Sequence, residues 1–364
     1  MDVTGRLLQE LDRQYVGLFD WLSGQFDPVT GGFYYARSSI GARTFAPDIE
    51  STAQAINILK RQQLLDEMPD PIRESIVKFF QRKQDQGSGY FFDEHPAMAK
   101  DEVMVQRALN YSIGSLKRLG ATPLYDLPKA TNEWPSFTKS VTAYRQEWER
   151  ISLQNSWRGC DRLVSSAGYI HHMEPEQQKR YVQSFVDYLA EIQDPTTGLW
   201  GEGSLYVKIS GTFKLHTFYR KYQMRMPNQE KIYQSIMRCL HEEEATDMCY
   251  VRNPIDLLSY LEVEIPREYR HQICKVTIEN LQSFKQSDGG FSREIDRSPK
   301  APNVSQVKAG EHYPEMPRPV ELGLGLREGD MNASTQATLI RQQLYHLLQT
   351  ESVHSCARHN FGID

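Results

Sequence analysis

Apolar residues recur every three to four positions along most of the chain. Leu7, Leu8, Leu11, Tyr15, Leu18, Phe19 and Leu22 share one helical face, and Ile56, Ile58, Leu59 and Leu64 mark a second helix. The same period predicts helices over 70–84, 100–119, 136–154, 160–172, 176–193, 209–224, 228–242, 253–262, 266–286 and 331–349. That is about twelve helices in all. No run alternates as a half-buried strand does, so strands are expected to be short and confined to residues 33–35 or 90–92.

The breaks between helices repeat. Asp27-Pro28-Val29-Thr30-Gly31-Gly32-Phe33 reappears as Asp194-Pro195-Thr196-Thr197-Gly198-Leu199-Trp200, with shorter versions at Gln84 through Tyr90 and Gln286 through Phe291. In each, the Asp-Pro or Ser-Asp pair stops a helix, Gly accepts the left-handed backbone of the turn, and the aromatic fills the gap between neighbouring helices. The helix starts repeat too. Asp48-Ile49-Glu50-Ser51-Thr52-Ala53-Gln54-Ala55 is echoed by Asp330-Met331-Asn332-Ala333-Ser334-Thr335-Gln336-Ala337. Asp caps each helix, and the Ala positions allow close packing. Each unit therefore reads as outer helix, glycine-aromatic turn, loop and inner helix. About six such units of roughly 55 to 60 residues fill the chain.

This predicts an all-α fold, an (α/α)6 toroid of about six helix hairpins forming one domain over residues 1–364. Closure into a ring is favoured over an open stack, because the ends lack polar caps and carry the best-matched repeats. The N-termini of the inner helices would then converge on one mouth of a central cavity. The Pro-, Gly- and charge-rich loop at 293–327 precedes the last inner helix and is expected to cover that mouth as a lid.

Composition narrows the possibilities. The formal net charge is -5 and basic residues are scattered, which gives no footprint for nucleic acid. No stretch approaches a membrane span, and the first residues lack the apolar core of a signal peptide. The cysteines, Cys160, Cys239, Cys249, Cys274 and Cys356, are odd in number and contain no C-x-x-C pair. A reduced, cytoplasmic protein without a cofactor is expected, its partner a small-molecule or oligomeric substrate. No P-loop, dinucleotide turn, nucleophile elbow or H-E-x-x-H helix occurs.

The turns resemble the QW repeat of the squalene cyclase and protein prenyltransferase superfamily, in which Gln, Gly and an aromatic close an outer helix; residues 193–200 and 286–291 fit best. The resemblance implies an α/α toroid, an architecture with similar turns in sugar-processing enzymes. Pro47 through Ala55 is similar to the D-x-D-D-T-A segment of terpene cyclases: Asp48, Thr52 and Ala53 match, Glu50 stands at the proton donor's place, and Ser51 replaces the last Asp. This implies Glu50 and Asp48 as catalytic, although Asn332 occupies the corresponding place in the echo at Asp330. Asp247-Met248-Cys249-Tyr250 resembles the zinc-binding Asp-x-Cys-Tyr of prenyltransferases. Ser334 and Thr335 stand where the histidine would lie, so that His312 would have to fold in, and no metal is assigned.

Other residues carry candidate chemistry of their own. His216 and Tyr219 share a helical face; they either pack as polar-tipped core residues or abstract and return a proton, with Arg252 and Asn253 neutralising a substrate carboxylate. Asp256 is expected in a first helical turn, where a carboxylate is stabilised or serves as a general acid. Trp157, Arg158 and Asp161 are expected in a break between helices, as a site wall. Trp200, Lys208, Asp330 and Asn332 complete the substrate-binding set. These point to an enzyme acting on an isoprenoid, whose carbocations aromatic faces would stabilise. The alternatives are a polysaccharide lyase or glycoside hydrolase acting on oligosaccharides, and a non-catalytic binding toroid. An apolar cavity ending at Glu50 would favour the first, and a polar groove the second.

Overall fold

The computed structural model describes residues 2–42, 44–95, 98–128, 134–304 and 319–349. Among them the chain is all-helical, with isolated β-bridges and no strands. The α-helices are α1 (Val3–Arg13), α2 (Leu18–Ser23), α3 (Arg37–Gly41), α4 (Ile49–Arg61), α5 (Asp70–Arg82), α6 (Glu102–Arg118) and α7 (Val141–Arg150). They continue with α8 (Ser156–Ser166), α9 (Pro175–Glu191), α10 (Leu205–Lys221), α11 (Gln229–Glu242), α12 (Met248–Leu258), α13 (Arg267–Phe284) and α14 (Met331–Leu347). Side chains set their starts: Asp2, Asp48, Ser140, Asn155, Ser204 and Asp330 each accept an amide three residues on. Each such cap contributes about 1 kcal/mol.

Several sequence-based boundaries move. The face running from Leu7 to Leu22 is split between α1 and α2, the helix expected over 136–154 is α7, and α10 starts at Leu205 instead of 209. Two further shifts relocate candidate site residues. Asn155 caps α8, so Trp157, Arg158 and Asp161 lie on a helix and not in a break. Pro254 lies inside α12, which begins earlier because Asp247 accepts the Cys249 amide at 2.7 Å and the Arg293 carbonyl accepts that of Met248 at 2.9 Å. Proline marks a first turn only where no upstream group supplies a start. Arg252 and Asn253 are therefore within α12, and Asp256 is near its C-terminal end, where the helix dipole disfavours a carboxylate.

The repeated turns share one geometry. Asp27 accepts the Val29 and Thr30 amides and the Thr30 hydroxyl; Asp194 does the same with Thr196 and Thr197. Gly31, Gly89, Gly198 and Gly289 have φ between +70° and +99°. The aromatic that closes the turn is Phe33, Phe91, Trp200 or Phe291, paired across it to Phe26, Gln84, Gln193 or Lys285. In the second copy this is Phe91, not Tyr90, since Gly89 aligns with Gly31. The helix that follows then latches the turn: Thr52 Oγ1 accepts the Phe33 amide at 2.9 Å, and Ser334 Oγ accepts that of Phe291 at 3.1 Å. The Asp-x-x-x-Thr/Ser spacing of the two echoing helix starts is thus an architectural device, whatever else it does.

The chain divides into two compact units. The first comprises Met1–Lys129, Thr246–Cys249 and Thr277–Asp364. In it α4 lies between α6 and α14, with α5 against α6 and α1 against α14. Every residue from Ile49 to Leu59 is buried except the half-exposed Asn57. The second comprises Ala130–Ala245 and Tyr250–Val276. There α8 packs on α10 through Gly211, so closely that a Cβ at that position would meet Ser156 Oγ at 2.1 Å. The 250–258 stretch of α12 meets α10 through stacked Tyr206 and Tyr250 and through an Asn253–Ser210 bond of 2.8 Å. Among the described residues no helix is long and apolar enough to cross a membrane.

Of the loop at 293–327 expected as a lid, residues 305–318 lie outside the described residues. Its described ends are tied down: Ser298 donates to Asp330 and to the Glu328 carbonyl, the Leu322 carbonyl accepts from Ser39, and Glu328 accepts the Ser38 amide at 2.7 Å.

Candidate functional site

In the first unit, Glu50, Gln54, Asn57 and Arg61 recur at i, i+4, i+7 and i+11 and so share one face of α4. Glu50 Oε1 is the centre of a network. It accepts from Arg107 Nη2 at 2.5 Å and Gln54 Nε2 at 3.0 Å, with the Tyr111 hydroxyl at 3.5 Å. Arg107 and Tyr111 stand one turn apart on α6, and the guanidinium lies 5.9 Å from the Tyr111 ring centroid. At the far end of α4, Arg61 Nη1 reaches the carbonyl and hydroxyl of Thr335 on α14 at 2.9 and 3.0 Å. On α14 itself, Asn332 Oδ1 accepts from Gln336 Nε2 at 2.8 Å, and Gln336 Oε1 is buried with no hydrogen-bond partner. These polar groups mark a strip over the neighbouring helices α14, α4 and α6, with Asn57, Arg61, Arg107, Tyr111 and Asn332 half-exposed on it.

The helix starts flanking this strip are heavily charged and buried. Asp48 caps α4 through Oδ1, 2.8 Å from the Ser51 amide, while Oδ2 is buried with no partner. Burial, and then the neighbouring Asp93 carboxylate, push the Asp48 pKa up to about 8. Both Asp93 oxygens accept the Ile49 amide at 3.1 Å, and Lys83 Nζ is 3.3 Å away. At the start of α14, Asp330 accepts from Ala333, Arg293 and Ser298, yet burial still raises its pKa to about 6. Arg293 is buried in turn; its Nε contacts both Asp247 oxygens, at 2.9 and 2.7 Å, and its Nη1 reaches Asn332 Oδ1 at 2.9 Å.

That ion pair changes the reading of Asp247-Met248-Cys249-Tyr250. Both Asp247 oxygens are engaged by a guanidinium, and His312 lies outside the described residues. Among the described residues no three His, Cys, Asp or Glu side chains gather as metal ligands do.

The second unit holds the proton-transfer candidates. His216 is buried between Phe213 and Tyr260, with ring centroids at 4.8 and 4.3 Å, and its Nδ1 contacts the Phe213 carbonyl. Burial lowers its pKa to about 4, the Phe213 carbonyl opposing and Arg220 and Arg252 adding, so the ring is neutral at pH 7. Tyr219 is buried with no partner for its hydroxyl, and no hydrogen bond joins it to His216. Arg252 lies over the Phe213 ring at 4.4 Å and pairs with Asp256 at 3.5 Å, which compensates that carboxylate's place near a helix C-terminus. Asn253 is buried on Ser210. Asp161 binds Lys214 at 2.9 Å with Arg158 at 4.0 Å, and Trp157 is half-exposed nearby on α8. Lys208 is half-exposed on the first turn of α10. Trp200 is wholly buried, its indole N–H on the Leu189 carbonyl at 2.7 Å, and has no face left for a ligand.

The structure thus joins Glu50 to Arg107, Tyr111 and Gln54, and Asn332 and Asp330 to Arg293. Of these partners, Gln54 could have been found from its i+4 spacing to Glu50, and Arg107 with Tyr111 from their own i, i+4 spacing. Arg293, Asp93 and Lys83 sit at loop or helix ends where no period marks them. No known family model matches the chain, and no curated protein matches it either.

Proposed function

We propose that the chain is an α/α toroid enzyme that acts on an oligosaccharide bound along the polar strip of α14, α4 and α6. One observation carries this reading: the strip is built of carboxylate, amide, guanidinium and phenol groups centred on Glu50. A hydrocarbon laid against it would strip water from these groups and return no hydrogen bonds, at about 1–3 kcal/mol for each group left unpaired. Sugar hydroxyls both donate and accept, and so suit half-exposed Asn57, Arg107, Tyr111 and Asn332 and the unpartnered Gln336 oxygen. Glu50, ion-paired to Arg107, suits the base or nucleophile role of a carboxylate in glycosidic-bond cleavage. The alkene-protonating role implied by the cyclase resemblance has no comparable support, because a hydrocarbon substrate would leave these polar groups without partners. Closure of the helix pairs into a ring is part of this proposal, and the repeated turns and helix starts support it.

The test is ligand-induced thermal stabilisation across a panel of neutral oligosaccharides, unsaturated uronides and polyprenyl diphosphates, with mass spectrometry of the products. An oligosaccharide should stabilise the protein and be cleaved, and Glu50→Gln should abolish cleavage. Stabilisation by polyprenyl diphosphates alone would overturn the proposal, and binding without cleavage would reduce it to a sugar-binding toroid.

A further inference from the structure

Asp48 and Asp93 are two buried carboxyls brought together at the first turn of α4, and their oxygens are unequally provided for. Burial raises the pKa of Asp93 too, but Asp93 faces the Lys83 ammonium and receives the Ile49 amide on both oxygens, and both oppose that rise. Asp48 receives the Ser51 amide on Oδ1 alone, and Oδ2 is sealed from water with no donor. A negative oxygen without a donor in such a place is costly, and a second carboxylate beside it raises the cost. One proton removes the buried charge on Asp48 and with it the repulsion between the two carboxylates, leaving a neutral hydroxyl that is far cheaper to bury.

We infer that Asp48 carries a proton on Oδ2 beside an ionised Asp93, and that this one-proton pair is the positioning device that holds the first turn of α4 and, two residues on, Glu50. The charged groups around Asp48 are Asp93, with Lys83 and Glu94 acting on it, and Glu50, itself tied to Arg107. All but the two cations favour the protonated form. Burial already places the Asp48 pKa near 8, far above that of Asp330 at about 6, so the two carboxyls titrate in separate windows. Loss of the proton would set two buried charges against each other where both amides of the turn are anchored. The turn would loosen, and Glu50 would lose its fixed relation to Arg107. The proton's existence is independent of the substrate reading; only the consequence for Glu50 rests on it.

The sign of the stability effect follows. The folded state holds a proton that the unfolded chain has already released, so the stabilisation present below pH 4 is lost progressively up to about pH 8 and changes no further above it. Asp48→Asn mimics the neutral acid. Relative to Asp48→Asn, the wild-type folding constant should fall by roughly tenfold per pH unit between about 4 and 8, and the two should then run parallel. Infrared spectra of the wild-type protein with isotope-labelled aspartate provide a measurement that needs no variant. A protonated-carboxyl stretch should persist at pH 7 and vanish with a midpoint near 8. Hydrogen exchange at the Ile49 and Ser51 amides should accelerate above that midpoint in wild type, beyond the intrinsic base catalysis, and not in Asp48→Asn. Complete ionisation of aspartate by pH 7 overturns the inference, as does identical amide exchange in the two proteins above pH 8. Neither outcome bears on whether an oligosaccharide binds.

Discussion

The two units each gather promising polar residues and treat them oppositely. In the first, Glu50 sits where α6 and its own helix supply donors, and the network stays partly open to water. In the second, His216 is enclosed by Phe213 and Tyr260, and the Tyr219 hydroxyl faces no partner at all. As residue types, a histidine and tyrosine three apart looked as capable of chemistry as a glutamate two residues past a helix cap. What separates them is the neighbouring element. A donor-bearing helix turns a polar side chain into part of a site, and an aromatic one turns it into core.

The largest effect that would test this contrast lies at Arg293. Its guanidinium satisfies Asp247 and holds Asn332, while its backbone amide donates to Asp330. Arg293→Met removes the cation and leaves buried Asp247 uncompensated, which should cost about 3–5 kcal/mol. Urea denaturation measures this directly. A loss under about 1 kcal/mol would mean that the first unit's charges are not the constraint described here.

A smaller effect distinguishes how tightly the helices of each unit approach. At Gly211 of α10 a Cβ would meet Ser156 of α8 at 2.1 Å on its hydroxyl and 2.6 Å on its carbonyl, neither of which can yield easily. Gly211→Ala should therefore cost about 1–3 kcal/mol through overpacking. At Gly114 of α6 the nearest atom is an Arg118 guanidinium nitrogen at 3.6 Å, a flexible neighbour at ordinary distance. Gly114→Ala should instead stabilise by about 0.5–1 kcal/mol, since alanine loses less backbone freedom on folding. Thermal melts of the two variants should shift in opposite directions; a shared direction would remove the packing contrast.

Much of the helical framework was legible because capping and apolar period are local. Asp48 and Asp330 cap α4 and α14 as expected, and the glycine turns close on aromatics because each glycine adopts a backbone that other residues resist. The start of α12 was misplaced because Pro254 imitates a first turn, whereas the true start is built by Asp247 and Arg293, the latter far along the chain. The site was legible in part. Glu50, Asp330 and Asn332 stood out by repetition, but their partners Arg107 and Arg293 come from other repeats, at separations where no period operates. At His216 the packed-core reading was available from the sequence, but not its enclosing partner, because Tyr260 lies beyond α12 and reaches His216 only through tertiary packing.

The smallest expected effect is at His216 itself, and its value lies in the pH dependence. Replacing the imidazole by a phenyl ring keeps the stack between Phe213 and Tyr260 and loses the contact of Nδ1 with the Phe213 carbonyl. His216→Phe should change stability at pH 7 by less than about 1.5 kcal/mol. Below neutrality the curves separate. The wild-type imidazole titrates near 4 when folded, below its ordinary value near 6.5, so the unfolded chain takes up the proton first. Wild-type stability gained from the neutral ring is thus present above pH 6.5 and lost as pH falls toward 4, a loss that His216→Phe does not share. Urea midpoints at pH 7 and 4.5 compare the two. If the variant loses stability on acidification as steeply as wild type, the imidazole is not enclosed as described, and His216 regains its claim to a place in the chemistry.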